Sequence, residues 1–171
     1  VVVNDATSNA VRDVVNKFGA RLMEAEAGEA NVVLKMARYK AVIGGEGSSG
    51  GVIIPPSKCR DGILTLLMVL SIIAKRRERL EGIISNLPKY YTLRRNAEFK
   101  ASKYASIRKS IKEHYSKNGF DIKETGYANG SLKIITGANS FVWFRASKTE
   151  DGIFRIISDS DKKEEAESLM E

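Results

Sequence analysis

The chain has 171 residues, 43% of them apolar, and a formal net charge of +7, so it can hold one ordinary domain or two small ones and is not a disordered segment. The single Cys59 excludes an intramolecular disulfide, and with one histidine it excludes a Cys/His metal site, so the sequence reads as an intracellular, reduced, cytoplasmic protein. The basic excess is concentrated: residues 89–145 carry 12 Lys/Arg against 4 Asp/Glu, whereas residues 146–171 carry 4 against 8. A solvated lysine-rich surface is the plain explanation for most of these side chains.

Val1–Val3 is a strand, followed by Ser8 as N-cap and by Val11, Val14, Val15 and Phe18 at helical spacing, with Gly19 as the stop. The chain starts inside this strand without a methionine, without a basic leader and without a cleavage pattern, which argues against a signal peptide and for a piece of something longer. Ala20–Glu24 is a second strand, Val32, Val33, Met36 and Tyr39 line a second helix, and Ala41–Ile43 is a third strand ending in glycines. Alternation of this kind predicts a mostly parallel α/β sheet, whose ligands gather at the carboxyl ends of strands. After Val52–Ile54 the pair Pro55-Pro56 breaks regular structure, and Asp61 caps an apolar helix over residues 62–74. That helix is shorter than the roughly 18–20 residues a membrane span needs and is predicted to be a buried core element, continuing through Leu80, Ile83, Ile84 and Leu87.

Asn86-Leu87-Pro88 marks the domain boundary, giving units 1–88 and 89–171. The second unit is predicted to be α+β with an antiparallel sheet: a strand at Tyr90–Leu93, a helix with Tyr104, Ile107, Ile111 and Tyr115 on one face, strands near 120–122, 132–135, 141–144 and 153–157, and an acidic terminal helix. Trp143 reads as core and His114 as a surface residue.

Two stretches carry chemistry. The loop Arg145-Ala-Ser147-Lys148-Thr149 follows an apolar strand and offers a guanidinium fork, two hydroxyls, an ammonium and loop amides, the donor set a phosphate dianion requires; Arg155 returns on the next strand. The stretch Gly44-Gly-Glu46-Gly-Ser48-Ser-Gly-Gly51 allows close backbone approach, and its acid and hydroxyls can bond vicinal sugar hydroxyls. A glycine-serine loop is more often a plain connector, and here Glu46, an acid with no packing role after a buried strand, distinguishes it. It lacks the spacing of the Walker and dinucleotide fingerprints. Cys59-Arg60-Asp61-Gly62 reads as the structural start of a helix.

Both loops, in this order, resemble the α-D-phosphohexomutases. Val1–Ser8, Gly28–Val32, Gly44–Ser48 and Cys59–Gly62 resemble segments of that family's third domain, and Arg145–Glu150 resembles the phosphate loop of its fourth. The resemblance implies a partial three-layer α/β domain followed by a small, TATA-binding-protein-like α+β domain. It implies that Glu46 and Ser48 bind sugar hydroxyls, and that Arg145, Ser147, Lys148, Thr149 and Arg155 bind phosphate. Lys148 and Asp151 depart from the family pattern, Ser49-Gly50 stands where many members carry Gly-His, and the third-domain lysine has only Lys35 as a candidate. The phosphoserine and the magnesium loop are absent, so Mg2+ is expected to bind outside this chain. The chain alone is expected to bind a hexose phosphate without catalysing its conversion, with N-terminal domains of the same protein as partners and no membrane. The rival readings are a basic nucleic-acid-binding module and a non-catalytic phosphosugar-binding protein.

Overall fold

The computed structural model describes residues 1–48, 50–126 and 130–171, and divides the chain into two compact units, Val1–Lys89 and Tyr90–Glu171. In the first, the order is β1 (Val2–Asn4), α1 (Asn9–Lys17), β2 (Met23–Ala25), α2 (Glu29–Tyr39), β3 (Gly44–Gly45), β4 (Val52–Ile53), α3 (Gly62–Arg76) and α4 (Leu80–Ser85). The strands form one sheet in the order β2-β1-β3-β4, parallel except for β4. Ser8 caps α1 as its residue type dictates, its hydroxyl accepting from the Ala10 amide at 3.2 Å. Val2, Ala25, Val32, Met36, Ala41 and Ile53 make the core between sheet and α2.

Three sequence expectations change. The third strand is not Ala41–Ile43 but the glycine pair after it, and Val42 is 74% exposed. Close packing explains this: a Cβ on Gly44 would lie 2.3 Å from Met36 Sδ, so only glycine lets this strand lie beneath α2. Phe18 and Tyr39, expected on apolar faces, are exposed; Val15 is the buried residue of α1. The apolar helix is not buried either. Asp61 caps α3 as expected, its Oδ1 accepting from the Leu64 amide at 2.8 Å, but α3 has no buried residue, and Ile63, Leu66, Leu67 and Leu70 are each more than half exposed. The helix stops at Arg77, which takes the left-handed conformation (φ 52°), so the continuation is a separate helix, α4. Hydrophobicity all round a helix calls for cover on all sides, and α3's packing within its own unit is against β4.

The second unit holds β5 (Tyr91–Glu98), a 3-10 turn (Ala101–Lys103), α5 (Tyr104–Lys117), β6 (Asp121–Glu124), β7 (Leu132–Ile135), β8 (Phe141–Ala146), β9 (Ile153–Ser160) and α6 (Lys163–Ser168). The sheet is antiparallel throughout, in the order β5-β9-β8-β7-β6. The period-two pattern places Leu132, Ile134, Val142, Phe144 and Ile156 on one face, packed with Ile111 and Tyr115 of α5. Phe99, Tyr104, Phe144 and Phe154 form a linked aromatic cluster with centroids 5.7–6.2 Å apart. Trp143 is buried, as its strand position predicts, and His114 is exposed.

Candidate functional site

The strand order determines where the first unit can hold a ligand. The chain leaves β1 to one side to form β2 and returns to its other side to form β3, so the order reverses between β1 and β3, and in open α/β sheets ligands bind at the carboxyl ends of strands at such a reversal. Asn4 ends β1, and Glu46 follows β3.

Glu46 does not hang free from a glycine loop; its side chain is 7% exposed. Its Oε1 accepts from Asn4 Nδ2 at 3.0 Å and from the Gly28 amide at 2.8 Å, and its Oε2 lies 3.3 Å from Arg60 Nη1. The idea that this acid lacks a packing role is therefore corrected: it ties together the end of β1, the turn before α2 and the segment before α3. A carboxylate offers about four lone-pair sites, so these three donors leave room for one more. Behind it, Thr7 donates to Asn4 Oδ1 at 2.6 Å and accepts from the Gly47 amide at 3.0 Å, which fixes both the Asn4 amide and the loop. Ser48 is exposed beyond this network, and Ser49 lies outside the described residues.

Arg60 continues the network by donating through Nε to Glu29 Oε2 at 2.7 Å. Hydrogen bonds from the Arg60 side chain and then from its backbone amide hold the Glu29 carboxyl below its ordinary value, and the same pairing raises the guanidinium further. Sequence reasoning missed Asn4, Thr7, Gly28 and Arg60. The available signal was the polar run Asn4-Asp5-Ala-Thr7 at the end of an apolar strand, where all three polar residues are buried.

In the second unit, Ser147 N donates to the Ile153 carbonyl at 2.7 Å and closes residues 147–152 into a loop between β8 and β9. Gly152 turns it in the left-handed region (φ 73°). Ser147 Oγ accepts weakly from the amides of Thr149 (3.4 Å) and Glu150 (3.2 Å) and lies 3.4 Å from Thr149 Oγ1, so the two hydroxyls stand side by side on the loop. Lys148 and Thr149 are exposed. The register sets Arg145 directly opposite Arg155, so two cationic side chains share one face of adjacent strands. Like charges directly opposite one another cost stability unless an anion joins them. Arg145 is 8% exposed, while Arg155 is half exposed and ion-paired with Glu150. The loop thus gathers Arg145, Ser147, Lys148, Thr149 and Arg155 about one hairpin. It contains no nucleophile-base pair, and what it can do is bind.

Other candidates have structural partners. Lys35 donates to the Glu24 carbonyl, which accounts for it as a tie between α2 and β2. Buried Lys133 sets its ammonium 4.1 Å from the Phe141 ring centroid. Tyr104 is buried and donates to the Gly130 carbonyl at 2.9 Å, and Tyr115 packs edge-on to Phe120, so neither is a base-stacking platform. Among the described residues, no three His, Cys, Asp or Glu side chains converge to hold a metal ion, and no helix is long and apolar enough to cross a membrane.

Residues 1–91 match the family model for phosphoglucomutase/phosphomannomutase, alpha/beta/alpha domain III. Over its whole length the chain is 33% identical to a phosphoglucomutase/phosphomannomutase of Thermococcus kodakarensis, covering 36% of that protein. It is 26% identical to a phosphoglucosamine mutase of Methanococcus maripaludis, with 99% of this chain and 37% of the relative aligned. Among solved structures, a phosphoglucomutase/phosphomannomutase family protein from Burkholderia thailandensis shares the fold with a TM-score of 0.73 at 16% identity, over 99% of this chain and 35% of that one. The chain spans about a third of the length of these relatives.

Proposed function

Because the chain belongs to the phosphoglucomutase/phosphomannomutase family, we propose that the whole protein interconverts hexose 1-phosphate and hexose 6-phosphate through a bisphosphate, and that this portion binds substrate. In this reading, residues 1–88 are part of the third domain and residues 89–171 the fourth. Glu46 and Ser48 take sugar hydroxyls. Arg145, Ser147, Lys148, Thr149 and Arg155 take the phosphate that is not being transferred. The carrying observation is that Arg145, Ser147, Lys148, Thr149 and Arg155 gather about one hairpin, closed by the Ser147 N to Ile153 O bond, and offer the guanidinium, hydroxyl and ammonium donors that a phosphate dianion takes.

These residues bind and orient. Ser147 and Thr149 donate hydroxyl protons to phosphate oxygens, the Arg145 fork can make two parallel bonds, and Arg155 would exchange Glu150 for the ligand. Glu46 accepts from one hydroxyl through its remaining lone pair. The phosphoryl donor and the magnesium ion belong to segments outside this chain, and the described residues offer no acidic cluster to hold that ion. In this reading the portion takes no part in the transfer itself, and the chain alone is expected to be inactive. The proposal also takes the protein to be cytoplasmic. The nucleic-acid reading is left with the basic excess of residues 89–145 and with Tyr90 and Tyr91, since Tyr104 and Tyr115 are spent on packing.

The test is Arg145→Ala in the whole protein, assayed with glucose 1-phosphate, mannose 1-phosphate and glucosamine 1-phosphate. Losing a charge-assisted bidentate contact should raise KM about tenfold or more. Unchanged affinity and turnover with every sugar would remove Arg145 from the site.

A further inference from the structure

Arg60 stands one residue before the cap of α3, on a segment that the sequence explains fully as a helix start. Its guanidinium nevertheless reaches back to the glycine loop. Nη1 meets Glu46 Oε2 at 3.3 Å, Nε donates to Glu29 Oε2 at 2.7 Å, and the Arg60 amide donates to that same Glu29 oxygen at 3.1 Å. Glu29 opens α2, and the Gly28 amide just before it donates to the other oxygen of Glu46. Arg60 and Gly28 therefore grip opposite oxygens of one carboxylate, and both are anchored at the first turn of α2.

A second observation is independent of these bonds. Gly50 has φ 99°, and a Cβ there would stand 3.1 to 3.3 Å from Nη1, Cζ and Nε of Arg60. The guanidinium lies against position 50, so a side chain there would press on it. Gly50 thus lets the guanidinium lie close beside the acid.

We propose that Arg60 is a positioning residue for sugar recognition, holding the Glu46 carboxylate so that its one remaining lone pair keeps a fixed direction toward a hexose hydroxyl. The proposal rests on the reading of Glu46 given above.

The experiment compares Arg60→Ala, Arg60→Lys, Glu29→Gln and Glu46→Gln with the unaltered whole protein, using glucose 1-phosphate and mannose 1-phosphate as substrates and inorganic phosphate as competitive inhibitor. Arg60→Ala should raise KM for the preferred sugar about tenfold and narrow the kcat/KM ratio between the two sugars, with phosphate inhibition unchanged. Arg60→Lys, which keeps the charge without the fork, and Glu29→Gln, which loosens the guanidinium, should move both quantities in the same direction by less; these two decide the matter if Arg60→Ala does not fold. An arginine that only supports the fold would lower the active fraction and hence kcat, leaving KM and the sugar ratio at their original values, and that result overturns the proposal. If Glu46→Gln impairs sugar binding while the Arg60 and Glu29 variants do not, the positioning role falls and the reading of Glu46 stands. If Glu46→Gln also has no effect, both fall.

Discussion

Gly51→Ala is the sharpest test of how the glycine loop is seated. Gly51 has φ 101°, and a Cβ there would lie 2.5 Å from the Asp61 carbonyl oxygen, 2.6 Å from its carbon and 2.7 Å from the Gly62 nitrogen. All three are backbone atoms at the start of α3, so no rotamer change relieves the contact. Holding alanine in the left-handed half of the map costs about 1–2 kcal/mol. Moving Asp61 and Gly62 away endangers the Asp61 N to Val52 O bond and the Val52 N to Thr65 Oγ1 bond, both 2.9 Å, at about 1 kcal/mol each. The expected loss is about 3 kcal/mol. Urea denaturation followed by far-ultraviolet circular dichroism measures it as a lower midpoint at unchanged slope. Exchange of the Val2 amide, bonded to the Ile43 carbonyl at 3.1 Å, reports on the same unit locally. Gly45→Ala is the control: its Cβ would meet nothing nearer than 3.8 Å, and it should be almost neutral. A Gly51→Ala midpoint equal to that of Gly45→Ala would refute the reasoning.

Phe154→Ala should destabilise the second unit by about 3–5 kcal/mol, because a 6% exposed ring in contact with Phe99, Tyr104 and Phe144 leaves a cavity; thermal melting checks it. The Glu124 carboxyl is held below its usual 4.5, first by its hydrogen bond to Lys112 and then by Arg108. Its folded value lies below its unfolded one, so its stabilisation is present above about pH 4.5 and lost as pH falls through the folded value. Glu124→Gln should flatten the acid limb of a stability profile between pH 6 and pH 3. On α3, Ile63→Lys with Leu67→Lys should change stability by less than about 0.5 kcal/mol while reducing apolar-dye binding and self-association of the isolated chain. Unfolding of that double variant would mean that this face is packed.

Ser8, Asp61 and the alternation of strands and helices were legible because caps and periodicity are written within a few neighbouring residues. The loop after β8 was legible for the same reason: Arg145, Ser147, Lys148 and Thr149 are near neighbours in sequence. Gly44-Gly45 was not, since glycines have no strand preference and the pair is a strand through its pairing with β1 and β4, with Gly44 lying close against Met36. Glu46 was found as a lone acid, but its partners Asn4, Gly28 and Arg60 lie far along the chain in both directions, and no local pattern joins them.

By itself, then, the sequence determined the element types, the helix starts, the two loops and their family resemblance, all of them consequences of side-chain chemistry at short range. Tertiary structure decided the rest. Pairing β1 with both β2 and β3 brought Asn4, at the end of β1, beside Glu46, just after β3, and pairing β8 with β9 set Arg145 across from Arg155. Within this chain the apolar residues of α3 stand exposed, which no pattern in the helix itself announced. Hydrophobicity states that a face needs cover, but only chain closure between distant residues determines which faces, donors and charges meet.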